Sequence, residues 1–246
     1  MKGFVWNADS VRLYRAALEV TRFQESIAAE VLPFLNPADT VLDAGCGLGG
    51  LSLAIAPHVK QVYAVDTDRR ALAELSEDIR RRSVPNITVS EGDVFSYTPP
   101  TCADVLVCCA FGRTGEILQL AKRLGVRTVI WIKKDYTEHR FSKGVHPIGS
   151  ESFLLCTEAL TALGIPFTAH RFAVEAGQPL KDTEDARLFF TIYGKDGDPS
   201  VYTDEFLNSR VVPSDDPRYP LYLPHQRRLG LIVFHGKDIP SEISFP

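Results

Sequence analysis

The sequence predicts a doubly wound α/β fold, in which a mainly parallel sheet carries helices on both faces. Short runs of β-branched and apolar residues alternate with segments of helical periodicity along most of the 246-residue chain. Residues 45–50 contain four glycines directly after the first of these runs. A glycine-rich turn between a strand and a helix is typical of a nucleotide-like ligand site in such folds.

Seven short segments, several of them rich in β-branched and apolar residues, predict the strands of this sheet. The fourth run is almost entirely apolar, which is typical of a central strand that is buried on both faces. Helical segments separate most of the runs, and such crossover connections favour parallel pairing. In chain order, the runs are residues 40–42, 61–66, 86–93, 104–109, 128–132, 167–174 and 229–234.

Segments with apolar residues at helical spacing predict the helices. Two helices, or one helix with a break, are expected in residues 8–35, before the first strand. Thr67 or Asp68 can cap the helix that ends in the basic run 80–82, and we interpret that run as solvated residues that complement the helix dipole. Further helices are predicted at residues 51–56, 116–124 and 150–163.

Residues 178–228 break the alternation, because about fifty residues separate the sixth predicted strand from the seventh. Within this insertion, helices are predicted at 183–193 and 202–210, whereas prolines are too frequent in 211–224 for regular structure. The insertion could be a lid over a ligand or a dimer contact, so a homodimer remains open.

The composition is that of a globular chain with a full hydrophobic core, since 45% of its residues are hydrophobic. Twenty-seven basic and thirty-one acidic residues give a formal net charge of −4. This charge disfavours nucleic acid as a partner, because no overall positive field would attract a phosphate backbone. The first residues lack the apolar core of a signal peptide, and no run has the length of a spanning helix. We therefore expect a soluble, cytoplasmic protein with no membrane partner.

The five cysteines favour neither a disulfide framework nor a metal site. Their number is odd, and they show no CxxC pair and no cluster with histidine. Cys108 and Cys109, at the end of the fourth predicted strand, are interpreted as small buried hydrophobic residues. The alternative is a reactive thiolate that binds a soft metalloid or takes part in group transfer.

The carboxyl ends of the first two strands carry the first candidate site residues. Gly45, Gly47 and Gly49 allow positive φ and let a ligand approach the backbone without meeting a Cβ atom. Asp43 stands two residues before these glycines, where its carboxylate could accept bonds from a ligand ammonium group. Asp66 is placed to accept both hydroxyls of a ribose.

These residues fit two classes of cofactor. Gly45, Gly47 and Gly50 satisfy G-x-G-x-x-G, a weak motif on its own, and nicotinamide and S-adenosyl cofactors would use Asp66 equally. Asp93, at the end of the third strand, suits the exocyclic amine of an adenine. The residues alone leave both cofactor classes open.

At several ordered positions the chain resembles the class I, Rossmann-like, S-adenosylmethionine-dependent methyltransferases. The resemblance covers residues 23–174, and the run 229–234 fits the antiparallel last strand of that family. Four segments carry it: VLDAGCGLG at 41–49 for the first motif, VDTD at 65–68 for the ribose, EGDV at 91–94 for the adenine, and CCAFG at 108–112 after the fourth strand.

The resemblance implies S-adenosyl-L-methionine as the cofactor. It also implies that the chain has two segments. N-terminal helices at 1–38 cover the site, and a methyltransferase domain follows at 39–246, with the insertion between its last two strands. The residues implied at the cofactor are Asp43, Gly45, Cys46, Gly47, Gly49, Asp66, Thr67, Asp93, Val94, Cys109 and Phe111.

The acceptor of the methyl group is expected to be a small molecule. Members of the family that methylate amino groups of nucleic acids and of some proteins carry Asn or Asp, two prolines and an aromatic residue after the fourth strand, whereas this chain has CAFG at 109–112. Tyr14 and His146 are the candidate catalytic residues. A nicotinamide-dependent oxidoreductase, a protein or RNA methyltransferase and a non-catalytic S-adenosylmethionine-binding module remain as alternatives.

Overall fold

The computed structural model describes residues 4–148 and 151–242. Its strands are β1 (Thr40–Ala44), β2 (Gln61–Asp66), β3 (Ile87–Glu91), β4 (Val105–Cys109), β5 (Thr128–Lys134), β6 (Phe167–Glu175), β7 (Gln178–Leu180), β8 (Val212–Pro213), β9 (Leu221–Leu223) and β10 (Gln226–His235). Its helices are α1 (Ala8–Thr21), α2 (Phe23–Val31), α3 (Gly50–Ile55), α4 (Arg69–Arg82), α5 (Thr114–Leu124), α6 (Phe153–Ala162), α7 (Thr183–Tyr193) and α8 (Asp204–Asn208).

Seven strands form the main sheet, in the order β3-β2-β1-β4-β5-β10-β6. The first five strands pair in parallel, and β10 runs antiparallel between β5 and β6. The predicted doubly wound sheet with an antiparallel last strand is therefore confirmed. The strand order reverses between β1 and β4, and the crevice at such a reversal is where ligands bind in open α/β sheets.

Apolar clusters cover both faces of the sheet. On one face, Ile27 of α2 and Leu53 of α3 pack in the same cluster as Val107 of β4. On the other face, Leu118 of α5 and Leu160 of α6 are clustered with residues of β4 and β5. The buried strands β1 and β4 explain the continuous apolar runs in the sequence, since both of their faces meet helices.

The helical segments agree closely with the predictions. Asp68 caps α4 by accepting hydrogen bonds from the backbone N–H groups of residues 70 and 71, which decides between the two predicted caps. Arg80 and Arg81 at the end of α4 pair with acidic residues one turn earlier, as a solvated helix end would. The predicted start of α6 at Ser150 lies outside the described residues, and α6 begins at residue 153.

Arg22 separates α1 from α2 and resolves the predicted choice in favour of two helices. Its φ is 52°, in the left-handed region that favours glycine. We expect Arg22→Gly to raise the free energy of unfolding by about 0.5 to 1 kcal/mol, because relief of this strain exceeds the added entropy of the unfolded chain. Chemical denaturation measures the change, and an unchanged or lower midpoint would contradict the assigned backbone conformation.

The insertion contains a second, three-stranded sheet in the order β7-β9-β8. The prediction that residues 211–224 lack regular structure is wrong, because β8 and β9 lie there and pair with each other. Pro213 is tolerated because β8 is an edge strand, where one side of the backbone needs no partner. Together with Leu13 of α1, the insertion builds its own apolar cluster around Phe189 and Phe190 of α7.

Across the described part of the chain, every helix is too short or too polar to cross a lipid bilayer.

Candidate functional site

The glycine loop, residues 45–49, leaves β1 in a conformation that ordinary residues resist. Gly45, Gly47 and Gly49 all have positive φ, at 71°, 55° and 68°. The backbone N–H groups of Gly45 and Cys46 both donate to the carbonyl of Val65 in β2, at 2.9 and 3.1 Å. The loop is thereby fixed at the carboxyl edge of the sheet, and α3 begins directly after it.

Asp43 lies beneath this loop and is only 2% exposed. One of its carboxylate oxygens accepts a hydrogen bond of 2.5 Å from the Ser52 hydroxyl. Burial raises the pKa of Asp43 to about 6, and the nearby charge of Asp66 adds to the shift. A cation that binds next to Asp43 would therefore lower the pKa of this carboxyl and favour its ionised form.

The raised pKa of Asp43 predicts a pH-dependent affinity for S-adenosylhomocysteine. The ammonium group of that ligand favours the ionised carboxylate, so binding must displace a proton when the pH is below the pKa. We expect the dissociation constant to rise by about tenfold per pH unit below pH 6 and to level off above pH 7. Calorimetry across this range checks the profile.

Asp43→Asn is the control for that profile, because it keeps the shape of the side chain and removes its titration. The variant should bind more weakly at pH 7 and show a flat profile between pH 5 and 7. A wild-type profile that is itself flat would contradict the placement of Asp43 beside the ligand ammonium group.

Asp66, the last residue of β2, links the glycine loop to the following helix. Its two carboxylate oxygens accept hydrogen bonds from the backbone N–H groups of Gly47, at 2.8 Å, and Asp68, at 2.9 Å. Its side chain remains partly exposed, and the exposed Thr67 follows it. Each oxygen keeps a further lone pair, so the carboxylate can accept two ligand hydroxyls while it holds the loop.

Asp93 and Val94 follow β3 at the same edge of the sheet. The Asp93 carboxylate accepts a hydrogen bond of 3.0 Å from the backbone N–H of Phe95, and the residue is exposed. Val94 is 3% exposed. The backbone N–H of Gly92 donates to the Asp66 carbonyl at 2.9 Å, which places this segment directly beside the end of β2.

The loop after β4 has an unusual backbone that β5 holds in place. Ala110 and Gly112 both have positive φ, at 54° and 70°. Two buried side chains of β5 donate to carbonyls of this loop: Trp131 Nε1 to Phe111 O and Lys133 Nζ to Gly112 O, each at 2.9 Å. The sequence-based assignment missed both roles, because Lys133 follows the predicted end of the strand at 132. A lysine next to the apolar run VIWI was the available signal.

Phe111 extends from this loop to the glycine loop. Its ring stacks on Phe95 with centroids 5.7 Å apart. A Cβ atom on Gly45 would lie 2.4 Å from the Phe111 ring. The ends of β1, β3 and β4 therefore meet at one place, with the side chain of Cys109 half-buried beside them.

Comparison with known proteins identifies the domain that contains these residues. Residues 41–127 match the family model of a methyltransferase domain. The matched segment runs from β1 to the start of β5 and contains the glycine loop, Asp66 and Asp93. The match identifies this segment of the chain as a methyltransferase domain.

Individual relatives match over part of the chain. Ribosomal RNA small subunit methyltransferase G of Coxiella burnetii is 32% identical over 96 residues, which cover 38% of this chain and 47% of that protein. A cobalt-precorrin-6B C(15)-methyltransferase (decarboxylating) of Methanococcus maripaludis is 41% identical over 59 residues, 24% of this chain and 33% of the relative. The chain thus spans less than half the length of either relative.

A solved structure shares the fold over a larger part of the chain. The YcgJ protein of Bacillus subtilis superposes with a TM-score of 0.56 and 13% identity, over 87% of this chain and 98% of that protein. At this level of identity the likeness concerns the fold.

The N-terminal segment of the chain lies on the glycine loop. The backbone N–H of Trp6 donates to the Asp68 carboxylate at 3.2 Å, and a Cβ atom on Gly47 would lie 3.6 Å from the Trp6 ring. Trp6 also packs edge-on against Tyr14, with ring centroids 5.2 Å apart. The aromatic side chains before and within α1 thus pack on the loop near Gly47 and Leu48, whereas Phe111 lies against Gly45.

The two candidate catalytic residues occupy different surroundings. The Tyr14 hydroxyl accepts a hydrogen bond of 2.8 Å from Gln24, and burial raises the pKa of Tyr14 to about 12, so its phenol stays protonated at neutral pH. His146 Nε2 lies 2.8 Å from the carboxylate of Asp196 in the insertion. Both catalytic roles stay predictions.

The thiols at this edge of the sheet are poor nucleophiles. Burial raises the pKa of Cys46 and Cys108 well above the usual range and that of Cys109 to about 11. All three are therefore protonated at neutral pH, which favours the interpretation of Cys108 and Cys109 as packing residues.

Proposed function

We propose that this protein transfers the methyl group of S-adenosyl-L-methionine to a small-molecule acceptor. The observation that carries the proposal is that the glycine loop lies at the reversal of strand order, with Asp66 and Asp93 after the neighbouring strands β2 and β3, within the segment that matches a methyltransferase domain. That combination supplies positions for each part of the cofactor.

We assign each candidate residue to one part of the cofactor. Asp43 and the backbone of the glycine loop, including Cys46, hold the methionine part. Asp66 binds the two ribose hydroxyls, with Thr67 beside them. Asp93 and Val94 line the adenine, one through a carboxylate at its exocyclic amine and the other through apolar contact. Cys109 and Phe111 line the side from which the acceptor approaches.

The reaction in this proposal is an in-line displacement. The nucleophilic atom of the acceptor forms a bond to the methyl carbon while the bond between that carbon and the sulfonium sulfur breaks, and S-adenosylhomocysteine leaves. The acceptor releases its proton to solvent or to a base. Because the sulfonium is already a good leaving group, the protein has to align the reactants and exclude water.

The packing of α1 against the insertion favours a small acceptor over a folded macromolecule. The Arg12 guanidinium of α1 pairs with the Asp185 carboxylate of α7 at 2.5 Å, and Gln178 Nε2 donates to the carbonyl of Leu13 at 3.0 Å. Tyr193 of α7 donates to the carbonyl of Ser10 at 3.3 Å. These contacts attach the insertion to the helix that follows Trp6, an arrangement that supports a ligand surrounded on several sides.

The named substrates of the relatives carry little weight for the acceptor. One relative is named for ribosomal RNA and the other for cobalt-precorrin, and the matched segments of 96 and 59 residues are short parts of each protein. The insertion, which we assign to the acceptor side, contains no matched residue of the family model.

Methyl transfer from radiolabelled S-adenosylmethionine tests the proposal. The full chain is incubated with a library of small-molecule acceptors and, in parallel, with bulk RNA and protein. Label in a small molecule, lost in the Asp66→Ala variant, is the expected result. Label that appears only in RNA or protein would contradict the acceptor class, and cofactor binding without any turnover would favour a binding module.

A further inference from the structure

Two cations lie on the acceptor side of the candidate site, on the sheet face that also carries Asp43 and Cys109. Lys134 is the last residue of β5 and pairs with Leu229 of β10. Arg227 lies two residues before Leu229 on the same strand. Because side chains alternate along a strand, Lys134 and Arg227 project from the same face at neighbouring positions.

The insertion and the loop after β5 add three further cations at this edge, and their segments are held together by direct contacts. Arg210 donates to the carbonyl of Arg140 at 2.9 Å and packs over the rings of Phe190 and Phe206. The backbone N–H of Lys195 donates to the hydroxyl of Ser142, also at 2.9 Å. These contacts fix the basic cluster, defined as Lys134, Arg140, Lys195, Arg210 and Arg227.

His225 lies within the same group of segments. Its ring contacts Phe141, with centroids 4.8 Å apart, and its backbone carbonyl accepts a hydrogen bond from Ala176. Burial lowers its pKa to about 4, with further contributions from Arg227, Arg140 and Arg210. The imidazole is therefore neutral at pH 7 and adds hydrogen-bonding capacity without charge.

The charges of the basic cluster are unmatched. Within residues 4–148 and 151–242, no member of the cluster forms an ion pair with a carboxylate inside 4.0 Å. The carboxylates near the cluster form ion pairs or hydrogen bonds with other residues. Asp135 pairs with Arg171 at 3.1 Å, Asp196 accepts four hydrogen bonds, and Glu175 accepts hydrogen bonds from Tyr222 and Gln226.

Unmatched cations that are partly buried carry a free-energy cost that a bound anion removes. Lys134 and Arg227 are both half-buried. Burial, with the charge of Arg227 next in importance, lowers the pKa of Lys134 to about 8. The fold thus keeps like charges together in a place where solvent screens them poorly.

We infer that the methyl acceptor carries a carboxylate or phosphate group, and that Lys134 and Arg227 bind this group. The inference rests on the proposed methyltransferase function, because only that function makes the bound anionic molecule a methyl acceptor. The carboxylate of the cofactor is a less suitable occupant, because the glycine loop follows β1, and β4 lies between β1 and the pair β5 and β10. The remaining cations of the cluster would raise the local concentration of an anionic ligand.

Titration of the full chain with inorganic phosphate and, separately, with acetate tests this site by calorimetry at low ionic strength. The wild-type protein should bind one or both anions, and the tighter of the two indicates whether the group is a phosphate or a carboxylate. Arg227→Gln and Lys134→Gln should each weaken binding at least fivefold. Arg228→Gln is the matched control, since that exposed side chain projects from the opposite face, and it should bind as the wild type does.

The affinity for S-adenosylhomocysteine is measured on the same variants to separate the two proposals. Loss of anion binding with unchanged S-adenosylhomocysteine affinity supports the inference. Equal loss of both would assign the cations to the cofactor carboxylate and overturn it. Absence of anion binding in the wild type, or full binding in both variants, would overturn the anion site while leaving the methyltransferase proposal intact.

Two further outcomes are also decisive. Anion binding as expected, in a protein that fails to bind S-adenosylhomocysteine, would keep the anion site and contradict the methyltransferase proposal. Binding of an RNA oligonucleotide that depends on Lys134 and Arg227, with no binding of phosphate or acetate, would overturn the small acceptor in favour of a nucleic acid.

Discussion

Replacement of Gly45 by alanine is expected to abolish cofactor binding and to lower the free energy of unfolding by about 3 kcal/mol. The φ of 71° costs an alanine about 1 to 2 kcal/mol. The new methyl group would also lie 2.4 Å from the Phe111 ring, and overpacking of this kind costs about 1 to 3 kcal/mol. Chemical denaturation measures the stability, and calorimetry with S-adenosylhomocysteine measures the affinity.

Two variants show which part of the Gly45 effect is steric. Gly92→Ala is the matched control at the same edge of the sheet, because nothing lies within 4 Å of its added Cβ atom. It should leave affinity and stability almost unchanged. Adding Phe111→Ala to Gly45→Ala should remove the clash and leave the strain of positive φ. A stable Gly45→Ala protein with wild-type affinity would contradict the geometry of the glycine loop.

Asp66→Ala is expected to weaken S-adenosylhomocysteine binding by about 10- to 100-fold, which corresponds to about 1.4 to 2.7 kcal/mol. In the proposed assignment, the variant removes the acceptor of two ribose hydroxyls. The backbone N–H groups of Gly47 and Asp68 also lose the carboxylate that connects the glycine loop to α4. Asp66→Asn should fall between the wild type and the alanine variant, because an amide retains one acceptor oxygen.

The control for Asp66 is Glu91→Ala. Glu91 pairs with Asp66 in the register between β2 and β3, but it is exposed and its carboxylate pairs with Arg69 at 3.0 Å. Removal of this surface ion pair should change affinity by less than about twofold. If the two alanine variants bind S-adenosylhomocysteine equally well, Asp66 does not contact the ribose.

The parts of this structure that follow from local sequence were predictable. Short β-prone segments predicted the approximate extent of all seven strands in the main sheet, and most clearly that of β1 and β4, because a strand buried on both faces must be apolar along its length. The hydrogen bonds of Gly47 and Asp68 to Asp66 connect two segments that the sequence assigned to the same ligand. Glycines and acids at strand ends carry this information because few other residues suit those positions.

The features that depend on tertiary contacts were not predictable. Trp131 and Lys133 act on carbonyls about twenty residues earlier in the chain, and no periodicity reports such a contact. The left-handed conformation of Arg22 has no glycine or proline to mark it. The strands β8 and β9 lie among prolines that argue against a strand, and they become visible only when the edge position of β8 is known.

The cations that we assign to the acceptor could not be predicted from local sequence either. Lys134 and Arg227 lie 93 residues apart in the sequence and become neighbours because β10 inserts next to β5. Neither residue belongs to a motif. Their significance comes from the carboxylates around them, each of which is bonded to another donor.

Side-by-side calorimetric titration of the full chain with S-adenosylhomocysteine and NADH tests the central claim most directly. Both ligands carry an adenosine that the glycine loop and Asp66 could hold, but only the first carries the ammonium group that we assign to Asp43. We predict saturable binding of S-adenosylhomocysteine at one site and no binding of NADH. Binding of NADH without binding of S-adenosylhomocysteine would contradict the account.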